Sequence, residues 1–196
     1  MSIDYIGDLN GDGFEDIVVG TFTDDDGGLD TGVVYILFRD ANSAVINATK
    51  ISKIRGAFIR VLDNDDRFGG AVSFLGDLND DGFTEIAVSA DYDGDAGYSH
   101  GTVLVLSLNS DGTLNSHSKI NDTQRGFNEG IVSDATFGTD IENIGDLNGD
   151  DWAVGFIRDS DWGARRGVVW ILCMNTNLTV NSEQKISDTK VSFSAV

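Results

Sequence analysis

Gly7-Asp8-Leu9-Asn10 returns as Gly76-Asp77-Leu78-Asn79 and again as Gly145-Asp146-Leu147-Asn148, each time 69 residues further along the chain. A fixed period of this length identifies one supersecondary unit used three times. Flanking residues keep the same register: Phe68-Gly69 with Phe137-Gly138, Lys50-Ile51-Ser52 with Lys119-Ile120-Asn121, and Gly32-Val33-Val34-Tyr35 with Gly101-Thr102-Val103-Leu104.

Within the second unit, β-favouring segments lie near 70–75, 85–90, 102–108 and 117–120, separated by loops rich in Asp, Gly and Ser. Four short strands at this spacing predict a four-stranded antiparallel sheet. Ile17-Val18-Val19 and Val103-Leu104-Val105-Leu106 are apolar on both faces, as expected of sheets packed between two neighbours. Sheets stacked radially make a propeller. The fold expected is all-β, a partial β-propeller of three four-stranded antiparallel blades, with blade 1 at 1–53, blade 2 at 54–122 and blade 3 at 123–196. Ile3 to Ile6 occupy the position of a first strand, and the chain runs just beyond the fourth strand of the third unit. Closed propellers have about four to eight blades, so three are expected to belong to a longer array or to half of an oligomeric ring.

Composition agrees with a loop-rich β protein. The 196 residues include 24 Gly and no Pro, so turns are made by Gly, Asp and Asn, which reach positive φ or bond their own backbone. The formal net charge of -20, from 33 acidic and 13 basic residues, excludes a phosphate-backbone partner and leaves cations as the natural counterpart. Cys173 is the single cysteine, so no disulfide forms within the chain, and its apolar setting reads as a buried strand. Met1 to Asn10 do not resemble a signal peptide, and no apolar run reaches transmembrane length.

The clustered acids carry the chemistry. Asp8, Asn10, Asp12, Phe14 and Asp16 stand at positions 1, 3, 5, 7 and 9 of a tight loop, 8–16, with Gly13 at position 6. Asp77, Asn79, Asp81, Phe83 and Glu85 repeat the spacing in 77–85, with Gly82 at the turn. Side-chain oxygens at 1, 3 and 5, a carbonyl at 7 and an acid at 9 make a hard-cation cage, and Ca2+ fits it best. An EF-hand is excluded, because its twelfth position needs a bidentate Glu where Val19 and Val88 stand, and strand-like segments follow where helices belong. The third loop, 146–154, is degenerate. Asp146, Asn148 and Asp150 persist, but the turn Gly is replaced by Asp151 and the acid at position 9 is lost, so weak binding or none is expected there. Filling the first two sites would bring the formal charge from -20 to -16 and stabilise the chain. Extracellular sites of this kind bind at roughly 0.1–1 mM.

Phe68-Gly69, Gly76-Asp77-Leu78-Asn79, Ile86-Ala87-Val88 and Gly101-Thr102-Val103-Leu104, with their counterparts, resemble the FG-GAP repeats of the integrin alpha headpiece and its bacterial relatives. The resemblance covers essentially the whole chain. It implies blades of a seven-bladed propeller, with calcium held between first and second strands by Asp8, Asn10, Asp12, the Phe14 carbonyl and Asp16, and by Asp77, Asn79, Asp81, the Phe83 carbonyl and Glu85. It also implies an extracellular or cell-surface adhesion or recognition module. A protein or glycan ligand would dock on the opposite face, through loops 22–32, 91–101 and 158–167. Within those loops Asp24-Asp25-Asp26 reads as a solvated turn.

No enzyme is expected. His100 and His117 read as surface-loop residues with no nucleophile motif nearby, and two His with one Cys build no zinc site. Two alternatives stay open. One is a lectin-like carbohydrate-binding propeller using Trp152, Trp162 or Trp170 as stacking surfaces, although Trp152 and Trp170 lie in or beside apolar strands. The other is an accessory propeller of a larger secreted enzyme.

Overall fold

The β-branched and aromatic segments of the three units form strands in chain order: β1 Ser2–Tyr5, β2 Ile17–Thr21, β3 Val33–Arg39, β4 Val45–Ser52, β5 Phe68–Gly76, β6 Thr84–Ala90, β7 Thr102–Leu108, β8 Leu114–Ile120, β9 Asp140–Asn143, β10 Asp151–Phe156, β11 Val168–Met174 and β12 Val180–Ile186. The structure is a computed structural model and describes residues 1–56, 62–95, 97–121, 123, 127, 131, 134–145, 151–156 and 167–187, with backbone alone for 151–156. No helix occurs among them.

Strands pair antiparallel in sequence order into four-stranded meanders, β1 to β4, β5 to β8 and β9 to β12. Equivalent residues fall into equivalent ladders. Ile3, Val19, Tyr35 and Lys50 cross the first sheet in one row. Val72, Val88, Leu104 and Lys119 cross the second, and Ile141, Val154, Trp170 and Lys185 the third. In the second unit β5 and β8 are longer than their sequence patterns suggest. Phe68-Gly69 extends β5 through a register shift between Phe68 and Val72, and the Leu114 to Ser116 segment continues the ladder against Ser107 and Leu108.

The sheets stack face to face. Val18, Val34, Ile36, Phe38 and Ile51 of the first meet Val72, Ile86, Val88, Leu104 and Leu106 of the second in one core. The other face of the second sheet, Ala71, Ala87, Val103, Val105 and Ile120, meets Ile141, Trp170 and Leu172 in another core. Phe127 fills that core, stacked on Phe137 at 5.1 Å and edge-on to Trp170 at 5.2 Å. Every residue of β7 is buried, because the middle sheet is covered on both faces. The first sheet departs from the pattern expected of Ile17-Val18-Val19: Val18 is buried, but Ile17 and Val19 are half-buried, since among the described residues no sheet lies against their face. The result is an open stack compatible with part of a β-propeller.

Backbone clips tie each sheet to the next. Asp65, Arg67 and Phe68 donate their amides to the carbonyls of Leu29, Asp30 and Thr31, and Asp134, Thr136 and Phe137 repeat this onto Tyr98, Ser99 and His100. These clips explain the register of Phe-Gly and of Gly32 and Gly101. A Cβ on Gly32, at φ +81°, would stand 2.0 Å from the Phe68 carbonyl oxygen, and one on Gly101 would stand 2.4 Å from that of Phe137. Only glycine permits that approach.

Candidate metal loops and the opposite acidic face

Loop 8–16 joins β1 to β2 and loop 77–85 joins β5 to β6, and the two are built alike. Asp8 Oδ1 accepts the Asp12 amide at 2.9 Å and its Oδ2 accepts the Gly13 amide at 2.8 Å. Asn10 Oδ1 also accepts the Asp12 amide, and Asp12 Oδ1 accepts the Phe14 amide at 3.0 Å. Asp77 binds the Asp81 and Gly82 amides at 3.1 and 2.9 Å, Asn79 Oδ1 the Asp81 amide, and Asp81 Oδ1 the Phe83 amide at 2.9 Å. The left-handed positions match as well: Gly11 and Gly13 at φ +76° and +92°, Asp80 and Gly82 at +58° and +86°. Nested Asx turns gather the oxygens of positions 1, 3 and 5 around one bend.

The acid at position 9 is buried in both loops, Asp16 and Glu85 each at 0% exposure. Asp16 accepts the Leu9 amide through Oδ2 and the Arg39 amide through Oδ1, tying its loop to β3. Glu85 accepts the Leu78 amide through Oε2 at 2.9 Å, while Oε1 is buried with no hydrogen-bond partner. Burial raises the Glu85 carboxyl, opposed by the Leu78 amide and the facing Ser107 hydroxyl and assisted by Asp81 and Asp77, and burial likewise raises Asp16. A buried carboxylate oxygen without a donor is costly unless it meets a cation or a proton. The donor set is all oxygen and suits a hard divalent cation.

Among the described residues no three His, Cys, Asp or Glu side chains converge tightly enough to form a metal-holding group. In each loop the Asp and Asn oxygens at positions 1, 3 and 5 are turned onto their own loop amides. The expected residues of the third loop, Asp146, Asn148 and Asp150, lie outside the described residues.

At the other end of the sheets a second repeated arrangement stands where Asp24-Asp25-Asp26 had read as a solvated turn. Lys50 Nζ lies 3.5 Å from Asp24 and 3.0 Å from Asp26, and Ser52 Oγ donates to Asp26 at 2.9 Å. Its counterpart Lys119 lies 2.6 Å from Asp93 and 2.5 Å from Asp95, and Asp93 is 2% exposed. Burial pulls the Lys119 ammonium down, but its bonds to Asp93 and Asp95 outweigh that and leave it raised. The matching positions of Lys50-Ile51-Ser52 and Lys119-Ile120-Asn121 were the sequence signal for this clamp; its acidic partners, 26 and 24 residues away, were not. Beside it, Asp63, Asp65, Arg67, Tyr92, Asp95 and Tyr98, all of the second unit, line a cavity of about 580 Å³, with the Arg67 guanidinium 3.7 Å from the Tyr92 ring centre.

Neither histidine is a surface-loop residue. His100 is a loop residue but 9% exposed, its ring packed where a Cβ on Gly97 would lie, and His117 is exposed but sits in β8. Trp170 is 4% exposed and supplies no open stacking surface; Trp162 lies outside the described residues, as does the Trp152 side chain. Loop 158–167 is described only at Gly167. No helix among the described residues is long and apolar enough to cross a membrane.

No family model matches the chain. Integrin alpha-PS2 of Drosophila melanogaster is 34% identical over 156 residues, covering 76% of this chain and 11% of that protein. Integrin alpha-7 of Homo sapiens is 31% identical over 160 residues, 79% of this chain and 12% of its own length. Integrin alpha-IIb of Mus musculus is 30% identical over 143 residues, 70% of this chain and 13% of its own length. The chain therefore spans only a small part of the relatives it matches.

Proposed function

Because this chain belongs to the FG-GAP repeat family of integrin alpha N-terminal regions, we propose that it is a non-enzymatic, calcium-binding adhesion or recognition module of the extracellular space or cell surface. Its sheets are three blades of a propeller, and its ligand is a protein or glycan met on the face of loops 22–32 and 91–101. The observation that carries the calcium reading is the pair of loops, 69 residues apart, with matching hydrogen-bond networks, each closed by a fully buried acid at position 9.

Asp8, Asn10, Asp12, the Phe14 carbonyl and Asp16 would hold one ion, and Asp77, Asn79, Asp81, the Phe83 carbonyl and Glu85 the other. Bound calcium supplies positive charge that offsets the repulsion among these acids. The chain's own part is to hold the oxygens in place. Asp16 fastens its loop to β3 through the Arg39 amide, and the Leu9 and Leu78 amides orient the acids at position 9. Ordering the first connection of each blade keeps the first strand, and the clips beside it, in position for the facing loops.

Thermal unfolding with and without millimolar calcium tests this reading, beside a double variant Asp8→Ala, Asp77→Ala. Calcium is expected to raise the parent's midpoint by several degrees and to leave the variant's unchanged. An unchanged parent would reduce the loops to acidic turns and end the calcium assignment.

A further inference from the structure

Three departures from the repeat meet at one cavity. Segment 63–67, which leads into β5, and loop 92–99, which joins β6 to β7, enclose about 580 Å³. A shift of 69 residues sets Asp66 against Ala135, Arg67 against Thr136 and, in the other direction, Tyr98 against Leu29. Ala135 is 1% exposed, and Thr136 holds the same left-handed backbone as Arg67, φ +58° against +61°. The clip between sheets therefore forms with Ala and Thr at these positions. The fold requires neither the carboxyl of Asp66 nor the guanidinium of Arg67.

Both groups keep unused hydrogen-bonding capacity at the cavity. Asp66 is 5% exposed and lines it; Oδ2 accepts the Asp63 amide, and among the described residues Oδ1 has no hydrogen-bond partner. Burial raises this carboxyl to about 6, so its ionised form at neutral pH costs stability that Ala135 does not. Arg67 lays its guanidinium on the Tyr92 ring, 3.7 Å from the centre, and Asp91 answers its charge at longer range. Among the described residues that guanidinium makes no hydrogen bond or salt bridge, and stacking leaves its N–H edge free to donate. Tyr98 is 77% exposed, while its carbonyl accepts the Asp134 amide and so fixes the loop that carries the ring.

The charges around the cavity are largely answered already. Lys53 lies 3.7 Å from Asp63, Lys119 lies 2.5 Å from Asp95, and Arg67 follows Asp66 in the chain. What the site lacks is one donor for Asp66 and one acceptor for Arg67. Neighbouring hydroxyls supply both, because each gives one hydrogen bond and accepts others without bringing a charge. We propose that this cavity binds a neutral hexose residue of a glycan, one hydroxyl donating to Asp66 Oδ1, its neighbour accepting from Arg67, and the apolar C–H face of the sugar lying on the Tyr98 ring. The proposal rests on the reading of loop 91–101 as part of the ligand-facing side and gives that side a chemical class of ligand.

Saturation-transfer NMR on the full chain in calcium tests it, with the methyl glycosides of glucose, galactose and mannose as probes and arginine amide and glycine as charged competitors. Asp66→Ala, Arg67→Thr and Tyr98→Leu each copy the residue the repeat uses elsewhere, so each is expected to fold, which circular dichroism checks. The parent is expected to bind at least one glycoside and neither competitor at the same concentration. Asp66→Ala and Arg67→Thr should each weaken that binding by about tenfold or more, and Tyr98→Leu by about threefold. A parent that binds no glycoside overturns the proposal, as does a preference for arginine amide or glycine. A glycoside bound equally by parent and variants also overturns it, by placing the sugar elsewhere while leaving the ligand-facing side in place. The calcium-dependent melting shift reads the module assignment separately, so its failure and the failure of this site are distinguishable.

Discussion

Asp4 in β1 accepts the backbone amide of Phe74 in β5 through Oδ2 at 2.8 Å, a bond between two sheets made by a side chain and a main chain 70 residues apart. It fixes how far the inner strands of adjacent sheets slide past each other, which the apolar cores leave loosely specified.

Asp4→Ala should therefore lower stability by about 1–2 kcal/mol, because the half-buried Phe74 amide is left without an acceptor. Asp4→Asn keeps an oxygen there and should cost less than half as much. Urea midpoints at constant slope measure both; equal losses in the two variants would deny the staple its role.

Gly32 and Gly11 separate two reasons for glycine. Both have left-handed backbones, φ +81° and +76°, but a Cβ at Gly11 meets nothing within 4 Å, whereas one at Gly32 strikes the Phe68 carbonyl. Gly11→Ala should cost about 1 kcal/mol from backbone conformation alone. Gly32→Ala should cost about 4 kcal/mol or more, or prevent folding, because two backbones must separate. Denaturant unfolding of the two variants side by side decides it, and similar costs would show that the clip yields easily.

Asp66 gives the chain a pH dependence of unusual sign. Burial raises its carboxyl from 3.8 to about 6, with Asp93 and Asp63 adding to the effect and the Asp63 amide and the Lys119 ammonium opposing it. The folded state then binds the proton more tightly than the unfolded chain. The contribution is complete below pH 3.8 and is lost as pH rises through about 6. Asp66→Asn should remove that loss. Between about pH 4 and 6 the variant should gain on the parent by about 2–3 kcal/mol as pH rises, and keep the advantage at pH 7. A constant difference across that range would show that Asp66 releases its proton alike in the folded and the unfolded chain.

Much of this molecule was legible in its sequence because a repeat writes the same information three times. The period, the four strands of the second unit and the loop positions of Asp8, Asn10, Asp12 and their counterparts follow from local pattern, since strand alternation and Asx-turn chemistry act over a few residues. The loop network seen at Asp77 and Gly82 is what that spacing dictates. What the pattern missed lies where partners are distant. Asp24 and Asp26 read as a solvated turn because Lys50, which holds them, lies 26 and 24 residues away on another strand. His100 read as exposed because nothing local announces that its loop is tucked against Phe137 of the next sheet.

The sequence by itself determined the unit: its strands, its turns, its acidic loops and its period, all set by interactions within one sheet. Only the tertiary structure decided which face of each sheet is covered. Ile17-Val18-Val19 and Ile86-Ala87-Val88 carry equivalent apolar patterns, yet the second is sealed on both sides and the first on one, because burial depends on a neighbouring sheet and not on the strand itself. Hydrophobic pattern states what a face would bury; stacking alone supplies what buries it.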